Sequence, residues 1–444
     1  MPIKNNIKKI YTAFLIIFFF DIIPPVSMAK YNYIDISNPF IRKTPIAIPL
    51  FKSFTGNKQE DLISKQMSEL MGETLAFTGY FKVLDKNAYL ESPHKSGITA
   101  TNINFRNWTV IGAELLITAG ILTKKNNIKM EFRLYDTFKM ELLTGKRYEG
   151  KIGDQRKMIR RFCSSVIFKL TGSKGYFNSK IAFVSTGTGN KEIYICDFDG
   201  YSPKKFTNSR NITLFPAWSS DGKWLAYTSY MQGHPDLYIR KLTRQQGIVV
   251  ARKGINSSPA WIPGKFELSA TFSFTGDQDI YQLTGKGKFI KRLTRSRGID
   301  SSPSWAPDGK KFTFVSKRSG TPQIYIKDLN SGEIRRLTFK GKYNTQPEWS
   351  PSGKEIAYSS MTTKGIDICT INTDGNNFAQ LTKDTGDNES PSWSSDGSLI
   401  AFSSTREGVP RIYIMTANGT EQRRLLLLPG KQTSPAWSLE IFNN

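Results

Sequence analysis

The side chains that could carry catalysis are few, and they do not occur at the spacings that enzymes use. The chain has two histidines, His94 and His234, and each stands next to proline in a segment with the composition of a turn. There is no Gly-x-Ser-x-Gly nucleophile turn and no zinc-binding His-Glu-x-x-His sequence. We therefore predict a protein that is not an enzyme and that has no metal site and no cofactor.

The cysteines do not suggest a disulfide framework. Cys163, Cys196 and Cys369 are odd in number, and the last two fall in strands of distant repeats, too far apart for a disulfide. We expect all three to be buried, unreactive thiols.

The net charge of +25, from 62 basic and 37 acidic residues, leaves two interpretations open. The charge could belong to a solvated basic surface with no partner, or it could attract an acidic protein or an anionic envelope polymer. Nucleic acid is not expected as a partner, because the lysines and arginines form no dense block with interleaved aromatic residues.

A repeat organises the second part of the chain. A Pro-x-Trp sequence recurs every 43 or 44 residues and is followed in three of the six copies by a Ser/Pro-Asp-Gly turn; its tryptophans are Trp218, Trp261, Trp305, Trp349, Trp393 and Trp437. Such a period is typical of a β-propeller, in which each repeat forms one blade of four antiparallel strands. We expect these tryptophans to pack between blades.

The ends of the repeat region predict six blades and the way the ring closes. Six second strands can be recognised, but the first, Ile181–Ser185, has no Pro-x-Trp strand before it. The last copy, Pro435–Ser438, has no strand after it. The C-terminal strand is therefore expected to complete the first blade, which would leave no open sheet edge.

The remaining chain divides into three segments. Residues 1–29 have lysines, a short apolar run and Ser27-Met28-Ala29, which together predict a cleaved secretory signal; a membrane anchor would need about 20 apolar residues. Residues 30–43 are expected to be a flexible N-terminal segment. Residues 44–175 predict an α/β domain with two helices on one sheet, and residues 176–444 predict the propeller. One helix should begin at Asn57 with a reciprocal capping contact from Glu60.

Small polar residues precede the Pro-x-Trp sequences and should lie at one mouth of the central tunnel. A propeller without catalytic groups is most often a binding platform, so we predict that these residues contact a partner. The predicted set is Ile255, Asn256, Ser257, Ser258, Asp300, Ser301, Ser302, Asn344, Thr345, Gln346, Asn388, Glu389 and Ser390.

The order of these parts resembles the TolB family, the periplasmic propeller proteins of the Tol–Pal envelope system of Gram-negative bacteria. The resemblance rests on the signal sequence, the segment Thr44–Phe51, the Leu-Thr-Gly-x-x-Gly junction at Leu170–Gly175 and the six Pro-x-Trp repeats. It covers essentially the whole mature chain.

The resemblance implies a periplasmic monomer, attached to membranes only through its partners. The family binds the lipoprotein Pal at the tunnel mouth, where its contact stretches match Ile255–Ser258 and Asp300–Ser302. Its N-terminus contacts TolA, which implies a role here for Lys30, Tyr31, Asn32, Tyr33, Ile34, Asp35 and Ile36. The system supports outer-membrane integrity and constriction at cell division, and group A colicins exploit it. An exported peptidase-related or carbohydrate-active propeller enzyme and an extracellular adhesion scaffold are the alternatives.

Overall fold

The computed structural model describes residues 42–91 and 97–440, and it has the predicted architecture of an α/β domain followed by a six-bladed propeller. The α/β domain is built on a mixed sheet with the strand order β3-β1-β4-β5-β6, with β2 also pairing with β4. Its strands are β1 (Thr44–Ala47), β2 (Lys52–Ser53), β3 (Phe81–Val83), β4 (Leu115–Lys124), β5 (Asn127–Asp136) and β6 (Glu141–Lys151). Its helices are α1 (Lys58–Ala76), α2 (Phe105–Val110) and α3 (Gln155–Thr171), with single 3₁₀ turns at Lys86–Ala88 and Ala100–Asn102.

Both faces of this sheet are buried, which explains the long apolar run in β4. Helices α1 and α3 pack on one face, where Ile63, Phe162 and Val166 contact residues such as Ile117. The short helix α2, which was not predicted, covers the other face with Trp108. Burial on both faces is the reason that β4 shows no alternation of apolar and polar residues.

The predicted capping contact at the start of α1 is correct only in part. Asn57 does cap the helix and accepts a hydrogen bond from the Glu60 amide at 2.8 Å. The Glu60 carboxylate does not return to Asn57; it instead binds Ser53, Thr55 and Thr123.

Within residues 176–440, six four-stranded antiparallel sheets follow one another. The first three blades contain β7 (Lys180–Thr188), β8 (Asn190–Asp197), β9 (Lys204–Lys205), β10 (Thr213–Trp218), β11 (Trp224–Ser229), β12 (Asp236–Lys241), β13 (Ile248–Val250), β14 (Asn256–Trp261), β15 (Glu267–Thr275), β16 (Asp277–Thr284) and β17 (Phe289–Arg292). The other three contain β18 (Asp300–Trp305), β19 (Lys311–Ser316), β20 (Gln323–Asp328), β21 (Ile334–Arg336), β22 (Asn344–Trp349), β23 (Glu355–Met361), β24 (Ile366–Asn372), β25 (Ala379–Gln380), β26 (Asn388–Trp393), β27 (Leu399–Ser404), β28 (Arg411–Thr416) and β29 (Arg423–Arg424). The last strand, β30 (Gln432–Trp437), belongs to the first blade.

The ring closes as predicted, because the last strand, β30, pairs with β7 to complete the first blade. The register places Trp437 opposite Ile181 and Gln432 opposite Ser185. Hydrogen bonds from the Ser438 amide to the Lys180 carbonyl extend the pairing beyond the strand.

The repeated tryptophans pack between blades, as predicted. Their exposed fractions are between 5% and 9%, and several indole N–H groups donate to the backbone of the preceding blade. Trp218 donates to the Ala436 carbonyl at 2.9 Å, and Trp261 donates to the Ala217 carbonyl at 3.2 Å. Trp218 and Trp261 thus fill the space between two twisted sheets and also satisfy their indole N–H groups there.

The α/β domain contacts the propeller on one face only among the described residues. We call this the turn face, because the turns that follow the repeated tryptophans lie there. Arg160 of α3 pairs with Asp197 at 2.8 Å, Lys43 pairs with Glu421 at 2.9 Å, and the Ser395 hydroxyl donates to the Gly175 carbonyl at 3.3 Å. The apolar core runs through this junction from Phe162 to Trp437. The opposite face, where the inner strands begin, is free of these contacts.

No helix in the described part of the chain is long and apolar enough to cross a membrane.

Candidate functional site

The six inner strands, β10, β14, β18, β22, β26 and β30, contact one another in sequence around the propeller axis. Contacts between β10 and β30 close this circle. Each inner strand has six residues, which we number from its first position to the tryptophan at the sixth. Because the first position lies at the end away from the α/β domain, the first three positions surround one end of the tunnel, which we call the mouth.

The residues at the first position are buried and hold the loops that precede them. All six have exposed fractions of 0%: Thr213, Asn256, Asp300, Asn344, Asn388 and Gln432. The Asn256 amide donates to the Arg252 carbonyl at 2.8 Å, and the Asn344 amide donates to the Lys340 carbonyl at 2.8 Å. An amide side chain suits this position because it satisfies backbone carbonyls that are buried in the turn.

Asp300 and Asn388 are also held by hydrogen bonds, although only Asn388 binds a carbonyl of the preceding loop. The Asp300 carboxylate accepts a hydrogen bond from Arg318 at 2.9 Å, which compensates its buried charge. The Asn388 amide donates to the Gly386 carbonyl at 2.9 Å. The side chains of four predicted contact residues, Asn256, Asp300, Asn344 and Asn388, therefore lie below the surface of the mouth.

The second and third positions line the mouth itself. They are half-buried, apart from Phe215, which is exposed. The second positions are Leu214, Ser257, Ser301, Thr345, Glu389 and Thr433, and the third positions are Phe215, Ser258, Ser302, Gln346, Ser390 and Ser434. Ile255, just before β14, is also half-buried. The structure thus brings eight of the predicted side chains to the mouth together with Ile255.

A β-bulge in every inner strand shapes this ring. The register with the second strand shifts after the second position, as between Ser257 and Ala260. The third residue has a φ between 51° and 56° in all six strands, including Ser258 at 51°. A bulge re-aims side chains, and the proline at the fourth position is tolerated because the inner strand is an edge of its sheet. The sequence pattern did not predict this left-handed residue.

Neighbouring blades are linked directly across the mouth. The Gln346 side-chain oxygen accepts a hydrogen bond from the Ser390 amide at 2.9 Å and another from the Ser359 hydroxyl at 2.7 Å. Glu389 lies nearby, and burial, followed by the neighbouring charge of Asp387, raises the pKa of Glu389 above its ordinary value. This part of the mouth is thus polar, and the Gln346 side chain is held in place.

Glu348, at the fifth position of β22, is a polar residue that sequence reasoning missed. It lies where two inner strands meet, and its carboxylate accepts a hydrogen bond from the Ser304 hydroxyl at 3.4 Å. Burial raises the pKa of Glu348 to about 7, against the smaller lowering effect of Ser304. Three of the other inner strands have alanine at this position. A glutamate in place of a small residue was therefore the feature of the sequence that could have identified Glu348.

The side chains that could have carried chemistry are dispersed. His234 lies in an exposed turn with its Nδ1 atom 3.0 Å from Asp236. Burial raises the pKa of Cys163, Cys196 and Cys369, and all three thiols are buried and unpaired. Among residues 42–91 and 97–440, no three His, Cys, Asp or Glu side chains come together as a metal site. The predicted signal, the N-terminal contact residues Lys30–Ile36 and His94 lie outside the described residues.

Both the propeller and the α/β domain are similar to known proteins. A family model described as the TolB beta propeller domain matches residues 168–441, and one described as the TolB amino-terminal domain matches residues 32–143.

A Tol-Pal system protein TolB from Desulfosudis oleivorans is 53% identical over 62% of this chain and 63% of the relative. A protein TolB homolog from Chlorobaculum tepidum is 43% identical over 56% of each chain. These alignments span less than two thirds of the relatives' lengths. The crystal structure of TolB from Acinetobacter baumannii is similar over 90% of this chain and 97% of that chain, with 27% identity and a TM-score of 0.79.

Proposed function

Because the chain belongs to the TolB family, we propose that it is a non-catalytic periplasmic adaptor of the Tol–Pal system that binds the lipoprotein Pal at the tunnel mouth. In this proposal the N-terminal segment couples Pal binding to TolA, and the assembly supports outer-membrane integrity and constriction at cell division. The observation that carries the proposal is the ring of side chains at the second and third positions, which are polar and half-buried except for Leu214 and Phe215.

Two properties favour the mouth as the partner surface. The contacts between the α/β domain and the propeller lie on the turn face, so a partner can approach the mouth without displacing that domain. The mouth side chains are also preorganised, as the bond between Gln346 and the Ser390 amide illustrates. Preorganised groups lose less conformational entropy on binding, which favours a stable complex.

The second position provides the sharpest test of Pal binding. Replacing Ser257 or Ser301 with tyrosine should obstruct the mouth and weaken binding of the soluble Pal domain by about 2 kcal/mol, or roughly thirtyfold. Serines at the second position are preferable to Ser258, because Ser258 has a φ of 51° and a substitution there would combine blockage with backbone effects. Isothermal titration calorimetry would measure the dissociation constant.

Ser331→Tyr is the matched control, because Ser331 is exposed in a turn on the opposite face of the propeller. It should bind Pal like the parent protein, and circular dichroism should show that all three variants are folded. Binding by Ser257→Tyr and Ser301→Tyr within about twofold of the parent would rule out the mouth as the Pal surface.

The proposed TolA contact is tested separately. Removal of residues 30–36 from the mature chain should weaken binding of the TolA periplasmic domain by more than about tenfold, because a contact segment concentrates its energy in a few residues. Pal binding should remain within about twofold, since the mouth is untouched. Surface plasmon resonance with each partner would measure both, and unchanged TolA affinity would show that the segment is not its binding site.

A further inference from the structure

Positive charge is concentrated on the loops that surround the mouth. These rim loops connect the outer strand of one blade to the inner strand of the next, at residues 206–212, 251–255, 293–299, 337–343, 381–387 and 425–431. They carry nine exposed basic side chains and two acidic ones, Asp384 and Asp387. The basic residues are Arg210, Arg252, Lys253, Arg295, Arg297, Lys340, Lys342, Lys383 and Lys431.

The opposite face lacks this imbalance. The five turns between inner and second strands, at residues 219–223, 262–266, 306–310, 350–354 and 394–398, carry almost balanced charges. Their charged residues are Lys223, Lys265, Lys310, Lys354, Asp221, Asp308 and Asp396. The net charge of +25 is therefore not spread evenly over the propeller, and the mouth face has a distinct excess.

The rim charges are available to a partner. Within the part of the chain that the structure describes, none of the nine basic side chains forms an ion pair with a carboxylate. Asp384, in contrast, is already paired with Lys364 at 2.9 Å. Since opposite charges within the rim do not cancel the excess, its field extends into solvent over about one Debye length.

The loops also hold these charges at defined places. The buried amides at the first position anchor the rim loops four residues upstream: Asn256 binds the Arg252 carbonyl, and Gln432 binds the Leu428 carbonyl, each at 2.8 Å. The anchoring explains why amide side chains recur at the first position. It fixes the backbone from which the basic side chains extend around the mouth.

We propose that the Pal surface that meets this mouth is acidic, and that the rim loops steer it to the tunnel; this inference rests on the proposed function. Charges of one sign around a concave site focus the field and can raise association rates by about 10- to 1,000-fold. A folded protein fits the site better than an anionic bilayer does, because a protruding loop can enter the depression and a flat surface cannot. Electrostatic complementarity of this kind acts mainly on the association rate and less on the dissociation rate.

The test compares two triple variants by stopped-flow mixing with the soluble domain of the Pal-like lipoprotein from the same organism. The rim variant replaces Lys253, Arg297 and Lys342 with glutamine. The control variant replaces three turn-face residues, Lys223, Lys310 and Lys354, with glutamine, so both lose the same charge. At an ionic strength of about 50 mM the rim variant should associate about tenfold more slowly than the parent, and the control within about twofold. At about 500 mM the difference should nearly disappear, because salt screens the charges.

The outcomes separate this inference from the proposal on which it rests. Pal binding whose association rate is the same at both ionic strengths, or equal rates for the rim and control variants at about 50 mM, would overturn the electrostatic inference while Pal binding stands. If the parent does not bind Pal at either ionic strength, the proposed function is wrong and this inference falls with it.

Discussion

Deletion of residues 432–444 is expected to abolish cooperative unfolding of the propeller. The deletion removes β30, which pairs with β7, and it exposes an edge strand in the first blade. It also removes Trp437, whose indole N–H donates to the Ser179 hydroxyl at 2.7 Å and whose ring lies 5.6 Å from that of Tyr176. Loss of one such aromatic side chain alone typically costs about 3–5 kcal/mol, and the deletion also opens the ring.

Deletion of residues 441–444 is the matched control for this experiment, because it leaves the whole of β30 in place. Differential scanning calorimetry should show a normal transition for the shorter deletion and a broad or absent propeller transition for the longer one. A normal melting transition in the protein that lacks residues 432–444 would contradict the view that ring closure stabilises the propeller.

The architecture could be predicted from sequence because the repeat constrains every blade in the same way. A tryptophan at a 43- or 44-residue period, a glycine in the turn after it and alternating apolar residues all indicate one four-stranded unit. The missing partner of Ile181–Ser185 predicted the closure by Pro435–Ser438, and β30 pairs as expected. Independent local signals that agree across six copies make such a prediction strong.

The mouth was only partly predictable because its geometry depends on the bulge. A regular strand alternates its side chains, so it would not place two consecutive residues, such as Ser257 and Ser258, at the mouth together. The register shift after Ser257 and the φ of 51° at Ser258 bring both serines to the mouth, whereas the Asn256 side chain is buried against loop carbonyls. The predicted residues lie in four of the six inner strands and in the residue before one of them, whereas the positions of individual side chains required the fold.

The concentration of positive charge on the rim loops could not be recognised from the sequence alone. In the sequence the basic residues are scattered, with one or two in each loop, and no block stands out. The propeller brings these loops to one end of the tunnel because each precedes an inner strand. The fold thus brings the one or two basic residues of each of the six loops together into one positively charged surface.

Only one half of the capping contact predicted between Asn57 and Glu60 is present in the structure. Asn57 caps α1 as the sequence predicts, but the Glu60 carboxylate is fully buried and binds groups that are distant in sequence. It accepts hydrogen bonds from the Ser53 hydroxyl at 2.7 Å, the Thr55 amide at 3.1 Å and the Thr123 amide at 2.6 Å. The residue therefore connects α1 to the loop after β2 and to β4.

These contacts set the charge state of Glu60. Burial alone would raise its pKa, but the hydrogen bonds from Ser53, Thr123 and Thr55 outweigh burial and lower the pKa of Glu60 to about 2. The pKa in the unfolded chain is about 4.3, so the ionised form stabilises the folded domain. This stabilisation is fully present above about pH 4.5 and is lost as the pH falls towards 2.

Glu60→Gln is expected to destabilise the α/β domain by about 3 kcal/mol at neutral pH, which is what a pKa difference of this size represents. The substitution keeps the shape of the side chain but places an amide donor against the hydroxyl and amide donors of Ser53, Thr55 and Thr123.

Glu73→Gln is the matched control, because Glu73 lies exposed on the same helix. Hydrogen exchange of peptides that cover 52–60 and 115–124 would report the local free energy of opening. Protection in Glu60→Gln should fall strongly at pH 7 and depend less on pH between about 4.5 and 2 than in the parent. Equal protection in the two variants would show that the buried carboxylate does not hold these segments together.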